Sequence, residues 1–149
     1  MRKTWTKIIA TFFGVGFIPV VPATWASAIA ALLAWFLAEP WLYAVLAVFT
    51  AAGLWACLDA KDVFKSKDPK SFVMDEVCGM MLSVLWLPRN AYLYFWAFIL
   101  FRILDASKPW PISKIDKSHR PTCILWDDLA AGVFTNIILQ VAVRIFIKF

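Results

Sequence analysis

The sequence predicts an all-α, multi-helix integral membrane protein, and three observations carry that expectation. Of its 149 residues, 62% are hydrophobic, against roughly 45–50% in an ordinary soluble domain, and the mean hydropathy is +0.74. Long stretches carry no charge at all, and one of them, Trp41 to Leu58, is close to the roughly 20 residues that a helical span needs. Nine of the ten acids, all but Glu39, are confined to Asp59–Glu76 and Asp105–Asp128. About four to five membrane-embedded helices in a single domain, residues 1–149, are expected, with no linker, low-complexity tract or repeat.

The elements follow in order. Met1-Arg2-Lys3 leads into Ile8-Ile9-Ala10 and imitates a signal peptide, but the apolar stretch outruns an ordinary h-region and reads as a retained part of the fold. No residue from Ile8 to Ala38 is charged, yet Gly14, Gly16, Pro19 and Pro22 exclude one regular helix. A broken or re-entrant N-terminal segment is expected up to Ala23, then a helix from Thr24 to Leu37. Irregular backbone at membrane depth is tolerated only under cover of protein or a wet cavity. Thr24 and Ser27, three apart at the start of that helix, either cap it or touch phosphate.

Glu39-Pro40 makes a turn, and Trp41–Leu58 is the clearest span. The charged segment Asp59–Glu76 precedes two short apolar runs, Val77–Leu87 and Ala91–Phe101, joined by Pro88-Arg89-Asn90. At about 1.5 Å per residue each covers only about 17 Å, short of a hydrocarbon core near 30 Å. Their charged ends, Asp75-Glu76 and Arg102 to Asp105, are therefore expected within the protein near membrane depth. A second polar segment, Ala106–Trp126, leads to a final apolar helix from Leu129 to Val143.

If Glu39-Pro40 and Pro88-Arg89-Asn90 turn on one side, the other side holds 11 of the 15 Lys and Arg residues, which predicts that it is cytoplasmic. Trp35, Trp41 and Tyr43 flank one outer turn and Trp86, Tyr92 and Tyr94 the other, as an aromatic belt does. The net charge of +5 is explained by this topology and gives no reason to invoke nucleic acid. Cys57, Cys78 and Cys123 match neither a disulfide framework nor a zinc site and read as reduced apolar fillers.

The chemistry is expected where acids meet apolar helices. Asp75-Glu76 and Asp127-Asp128 each precede an apolar run, and neighbouring carboxylates repel, so a positive partner is needed. A helix N-terminus supplies part of it; a hard cation such as Mg²⁺ suits a donor set of carboxylates alone. Plain N-capping is the other reading of each pair. Gly79 follows Asp75, and Gly132 follows Asp128, at helical spacing, leaving room on the acid-bearing face for another helix or a ligand. Arg102 and Asp105 share a helix face, while Lys108 stands before Pro109 and is biased out of the helix. Together these three places suggest one site for a metal ion and a phosphate. His119, the only histidine, is either a proton carrier or an incidental loop residue.

Several phosphatase and esterase signatures are absent: no Asp-x-Asp pair, no Cys-x5-Arg loop and no Gly-x-Ser-x-Gly elbow. Arg120-Pro121 matches one part of the vanadium-peroxidase-like lipid phosphatases, whose Ser-Gly-His element is missing. The chain instead resembles the bacterial phosphatidylglycerophosphatase A family in five motifs, in order, from Gly14 to Gly132. These are Gly14-x-Gly16-x-x-Pro19-x-x-Pro22-x-Thr24-x-x-Ser27; Ala60-Lys61-Asp62 with Asp68-Pro69; Val73-Met74-Asp75-Glu76-x-x-Gly79; Phe101-Arg102-Ile103-Leu104-Asp105-x-x-Lys108-Pro109-Trp110-Pro111-Ile112; and Asp127-Asp128-x-x-Ala131-Gly132. It departs from the family pattern at Ala23 and Ala26, where glycine is usual, and over Arg120–Cys123, where the family is glycine-rich.

The resemblance implies an all-α core and Mg²⁺-dependent hydrolysis of phosphatidylglycerophosphate to phosphatidylglycerol at the cytoplasmic face of a bacterial inner membrane. It implies that Asp75, Glu76, Asp127 and Asp128 hold the metal, with Asp62 and Asp105 as further ligands or their partners. Arg102, Lys108 and Lys61 would then bind phosphate, with Thr24 and Ser27 as candidate contacts. Two rival readings are a non-catalytic relative serving as a membrane scaffold and a small cation carrier, which would favour acids inside spans.

Overall fold

A computed structural model describes residues 1–65, 69–116 and 122–146 of the chain. Among them are seven α-helices and no strand: α1 (Arg2–Ala10), α2 (Pro22–Phe36), α3 (Glu39–Phe64), α4 (Met74–Ser83), α5 (Ala91–Ser107), α6 (Ile112–Asp116) and α7 (Cys123–Phe146). The all-α expectation holds. Two helices, rather than four or five, are long and apolar enough to cross a membrane: α3 and the Ile124–Ile145 part of α7. Helices α2 and α4 have 15 and 10 residues, too few at about 1.5 Å each for a core near 30 Å.

Local chemistry sets most helix ends. Pro22 and Pro40 stand in the first turns of α2 and α3, where a missing N–H costs nothing. Asn90 caps α5, its side-chain oxygen accepting from the Tyr92 N–H at 2.9 Å. Lys108 closes α5 in the left-handed region at φ 41°, so it leaves the helix ahead of Pro109 as expected, though not into the extended region that a residue before proline usually takes. The N-terminal segment is broken as expected: after α1 the chain turns through Phe12, Phe13 and Gly14, all at positive φ, and a 3-10 turn, Val15–Phe17.

Helix α4 is the centre of the molecule. Eight of its ten residues are buried, and α2, α3, α5 and α7 all pack on it. The α4–α7 crossing is close because glycines face each other there. A Cβ on Gly79 would lie 2.6 Å from the Phe101 ring and 2.7 Å from the Asp128 carbonyl oxygen, and one on Gly132 would overlap the Gly79 carbonyl. The room expected beside the acids is thus taken by the other acid-bearing helix.

The two helices run parallel. Asp75 and Asp128 meet at their starts. Beyond the end of α4, Asn136 donates its amide to the carbonyls of Ser83 at 3.1 Å and Leu85 at 2.7 Å, and Gln140 donates to Leu85 at 3.2 Å. These donors satisfy carbonyls that the short helix leaves open. The turns that precede α3 and α5 lie together at this far end. There Trp35 meets Tyr94 with ring centroids 5.1 Å apart, Tyr43 meets Trp86 at 6.4 Å, and Arg89 donates to the Leu37 carbonyl.

Two boundaries differ from expectation. Helix α3 continues to Phe64, so Asp59, Lys61 and Asp62 lie on its last turns rather than in a loop, and Asp59 pairs with Arg2 at 2.6 Å. Ala60 and Lys61 favour helix and offset the weaker propensity of the two aspartates. Helix α7 starts at Cys123, so Asp127 and Asp128 stand in its second turn and not at its N-terminus.

Candidate active site

Three chain segments converge at the start of α4. Asp75, Glu76 and Asp128 bring one carboxylate oxygen each to within 4.8 Å of one another. Asp127 lies beside Asp128 and is bound by Lys108, Nζ to Oδ2, at 2.6 Å. Asp105 stands next to both Glu76 and Asp128 and is held by Arg102 at 2.7 Å. Side-chain exposure divides the group into a floor and a rim. Asp75, Asp127 and Asp128 are buried, whereas Asp105, Arg102 and Lys108 keep 15%, 25% and 31% of their side chains exposed.

The electrostatics are those of too many acids in too little space. Burial, and after it the charges of Glu76 and Asp128, holds the Asp75 carboxyl well above the usual carboxylate range. Burial also raises Glu76; its hydrogen bond with Asp75 and the Arg102 charge oppose this, and Asp105 adds to it. Glu76 Oε2 and Asp128 Oδ2 are buried without a hydrogen-bond partner, which native structures rarely tolerate without an ion or water. Two orphaned oxygens among three clustered carboxylates fit a hard divalent cation, which accepts oxygen donors alone. Asp75 does part of a capping acid's work, its Oδ1 accepting from the Glu76 N–H at 3.0 Å, but capping does not account for the other acids. Val73 occupies the N-cap of α4 without a side-chain bond, and the first turn of α7 contains no acid.

A prediction follows for the metal-free protein. Because Asp75 and Glu76 have raised folded-state pKa values, the folded chain holds more protons than the unfolded one. Their contribution to stability is present at low pH and is lost as pH rises through the folded values. If the cluster holds Mg²⁺, the rise in melting temperature on adding the ion is expected to grow between about pH 5 and about pH 8, as read by a thermal scan in detergent with and without it. A shift that stays constant or shrinks would contradict it.

The other candidates are placed less centrally. Lys61 and Asp62 are exposed on α3, about two turns beyond Gly53, which packs on Met74 and Leu125 at the floor. Ser27 is buried, and its hydroxyl donates to the Ala23 carbonyl at 2.9 Å within α2. Thr24 is half-buried in the first turn of α2, and Val21 is the N-cap, so neither hydroxyl caps the helix. Ala26 is fully buried in the core. Burial pushes the Cys78 thiol up to about 12, in keeping with an inert filler. Lys67, Asp68, Lys117, His119, Arg120 and Pro121 lie outside the described residues. Sequence reasoning missed Asn136 and Gln140, although two amides four residues apart in an apolar helix are a recognisable signal.

Comparison with known proteins adds a family. The family model described as Phosphatidylglycerophosphatase A matches residues 8–143. A Bacteroides thetaiotaomicron protein with the provisional name phosphatidylinositol-3-phosphatase is 36% identical over 147 residues, 91% of this chain and 91% of its own length. Phosphatidylglycerophosphatase A of Escherichia coli is 37% identical over 145 residues, covering 93% of this chain and 83% of that protein. Its namesake in Haemophilus influenzae is 29% identical over 138 residues, 89% and 85% of the two chains. No solved structure matches.

Proposed function

Because this chain belongs to the phosphatidylglycerophosphatase A family, we propose that it hydrolyses the terminal phosphomonoester of phosphatidylglycerophosphate, releasing phosphate and phosphatidylglycerol. The reaction is assigned to the cytoplasmic face of a bacterial inner membrane and to a Mg²⁺-loaded site. The observation that carries the reading is the carboxylate cluster of Asp75, Glu76 and Asp128 beneath two cations, Arg102 and Lys108, on its rim.

Asp75, Glu76, Asp127 and Asp128 would hold the ion, and Asp62 stays outside the set. A bound Mg²⁺ supplies positive charge against the phosphoryl oxygens and lowers the pKa of water. Lys108 and Arg102 receive the phosphate from the water side, and their charges gain value as negative charge develops on the transferring group. Until then Asp127 and Asp105 hold these two cations in place. Asp105 is partly exposed beside the floor and is positioned to take a proton from an incoming water. A cation carrier would favour acids at intervals through the bundle, whereas the described cluster lies at one end.

The direct test is phosphate release by the purified protein from phosphatidylglycerophosphate, with and without chelator. Activity is expected to vanish with chelation and to return with Mg²⁺; full activity in strong chelator would end the metal mechanism. The name of the Bacteroides relative supports a second reading, a 3-phosphorylated inositol lipid as substrate, and the same assay with both lipids ranks them. Lys108→Ala is expected to lower kcat/KM by about 10- to 100-fold, the worth of a hydrogen bond to a charged group. The loss falls on KM if the contact is made in the ground state and on kcat if it strengthens in the transition state. A reporter fused after Lys67 or Lys117 is expected to read cytoplasmic and one at Asn90 external; an external Lys117 would overturn the topology.

A further inference from the structure

The N-terminal 38 residues carry Arg2, Lys3 and Lys7 and no acid. Large apolar residues are exposed along the helices too, but here they stand on irregular backbone. Helix α1 buries only Thr6 and Ala10. The hairpin that follows turns its large side chains outward: Phe13 is 74% exposed, Phe17 52%, Val20 66% and Val21 57%. Phe12, Phe13 and Val21 hold left-handed backbone angles of φ 46°, 55° and 44°, a region that bulky side chains avoid. Showing these side chains to water adds the cost of apolar exposure to that of the backbone angles. Setting them against hydrocarbon removes the first cost.

The inner side of the hairpin is fixed to the floor of the site. Phe12 packs edge-on against Phe49 with centroids 5.6 Å apart. The Val73 N–H, two residues before Asp75, donates to the Ala10 carbonyl at 2.8 Å, and Gly16 lies against the Ser71 backbone. On the outer side the Lys7 ammonium sits 5.1 Å from the Phe17 ring centroid, which puts a cation at the edge of the apolar patch.

We propose that residues 12–21 insert into the leaflet from which substrate is drawn. Phe13, Phe17, Val20 and Val21 then lie among acyl chains, and Lys3 and Lys7 lie among anionic headgroups. Basic residues flanking exposed large apolar ones are the composition of an interfacial anchor, and each cation near an anionic surface adds to binding. The inference rests on the lipid-phosphatase reading for its purpose, which is to hold the site beside the tails of its substrate. Its geometry is testable separately.

In the first measurement a fluorescent nitrobenzoxadiazole label is attached to Phe13→Cys in a chain that also carries Cys123→Ser; Cys57 and Cys78 are buried. The protein is reconstituted in phosphatidylethanolamine–phosphatidylglycerol vesicles containing lipids nitroxide-labelled on the acyl chain. Quenching by the nitroxide lipids and protection from aqueous iodide are expected. Quenching by iodide, or protection from both quenchers as in a protein–protein contact, would overturn the proposal.

The second measurement compares the parent with a Phe13→Ser, Phe17→Ser double variant. KM for long-chain substrate in vesicles is expected to rise by at least about tenfold, from lost apolar burial, with kcat/KM for a short-chain monomeric substrate unchanged. An equal fall on both substrates, or no change on vesicles, would return the hairpin to a structural role. A parent inactive on both substrates would instead end the enzymatic reading, and the quenching result alone would then decide the hairpin.

Discussion

Asp128→Asn is expected to abolish phosphate release while leaving a protein that still inserts and melts cooperatively in detergent. The substitution keeps the volume and removes one buried charge from a cluster in which three carboxylates offer oxygens within 4.8 Å of each other. An amide is a poor ligand for a hard cation, so the several kcal/mol of charge stabilisation that the ion provides are lost, roughly 10³-fold or more in rate. Stability should move the other way in the absence of metal, because Asp75 and Glu76 lose a repelling neighbour. The decisive pair of readings is turnover and the Mg²⁺-induced melting shift, both expected to disappear in Asp128→Asn. Near-parental turnover would leave the proposed enzyme without its site.

The second large effect is expected from Gly132→Ala, which touches no acid. The added methyl group would run into the Gly79 carbonyl, and because both sides of this contact are backbone, no side chain can rotate away. The helices must separate, with an overpacking cost of about 1–3 kcal/mol or more. Since α4 carries Asp75 and Glu76 while α7 carries Asp127 and Asp128, the separation also opens the carboxylate cluster. Reduced melting temperature together with weakened Mg²⁺ response is expected. Ala130→Gly, on the same helix and half-buried, is a control for a helix weakened without a clash. A Gly132→Ala protein with parental melting and turnover would show that the crossing tolerates more space than its contacts suggest.

Much of the site was legible because it rests on short-range rules. Arg102 and Asp105 had to share a face if the segment was helical, and Lys108 had to leave the helix before Pro109. The paired spacings Asp75 to Gly79 and Asp128 to Gly132 announced close approach on the acid-bearing sides, though not that each glycine would accommodate the other. The boundaries were less legible. Asp59, Lys61 and Asp62 look like loop residues by charge, but α3 carries them past the apolar region, with Lys61 and Asp62 exposed. Cys123, Ile124, Leu125 and Trp126 extend α7 backward and move its acids from the first turn to the second. Uncharged runs overcounted spans because apolar composition alone does not distinguish a helix facing lipid from one enclosed by protein. Helix α4 is the second kind.

That enclosure bears on how the molecule comes into being. Helix α4 is short, carries two adjacent acids in its first turn, and is covered by α2, α3, α5 and α7. The last of these partners is the last helix of the described chain, and its Asn136 and Gln140 are what satisfy the carbonyls beyond the end of α4. During synthesis, α4 emerges well before the helix that will shelter it. Until α7 arrives, its buried face lacks its largest cover. Part of the carboxylate cluster is thus made early and part late, and a chain that stops before α7 lacks Asp127 and Asp128.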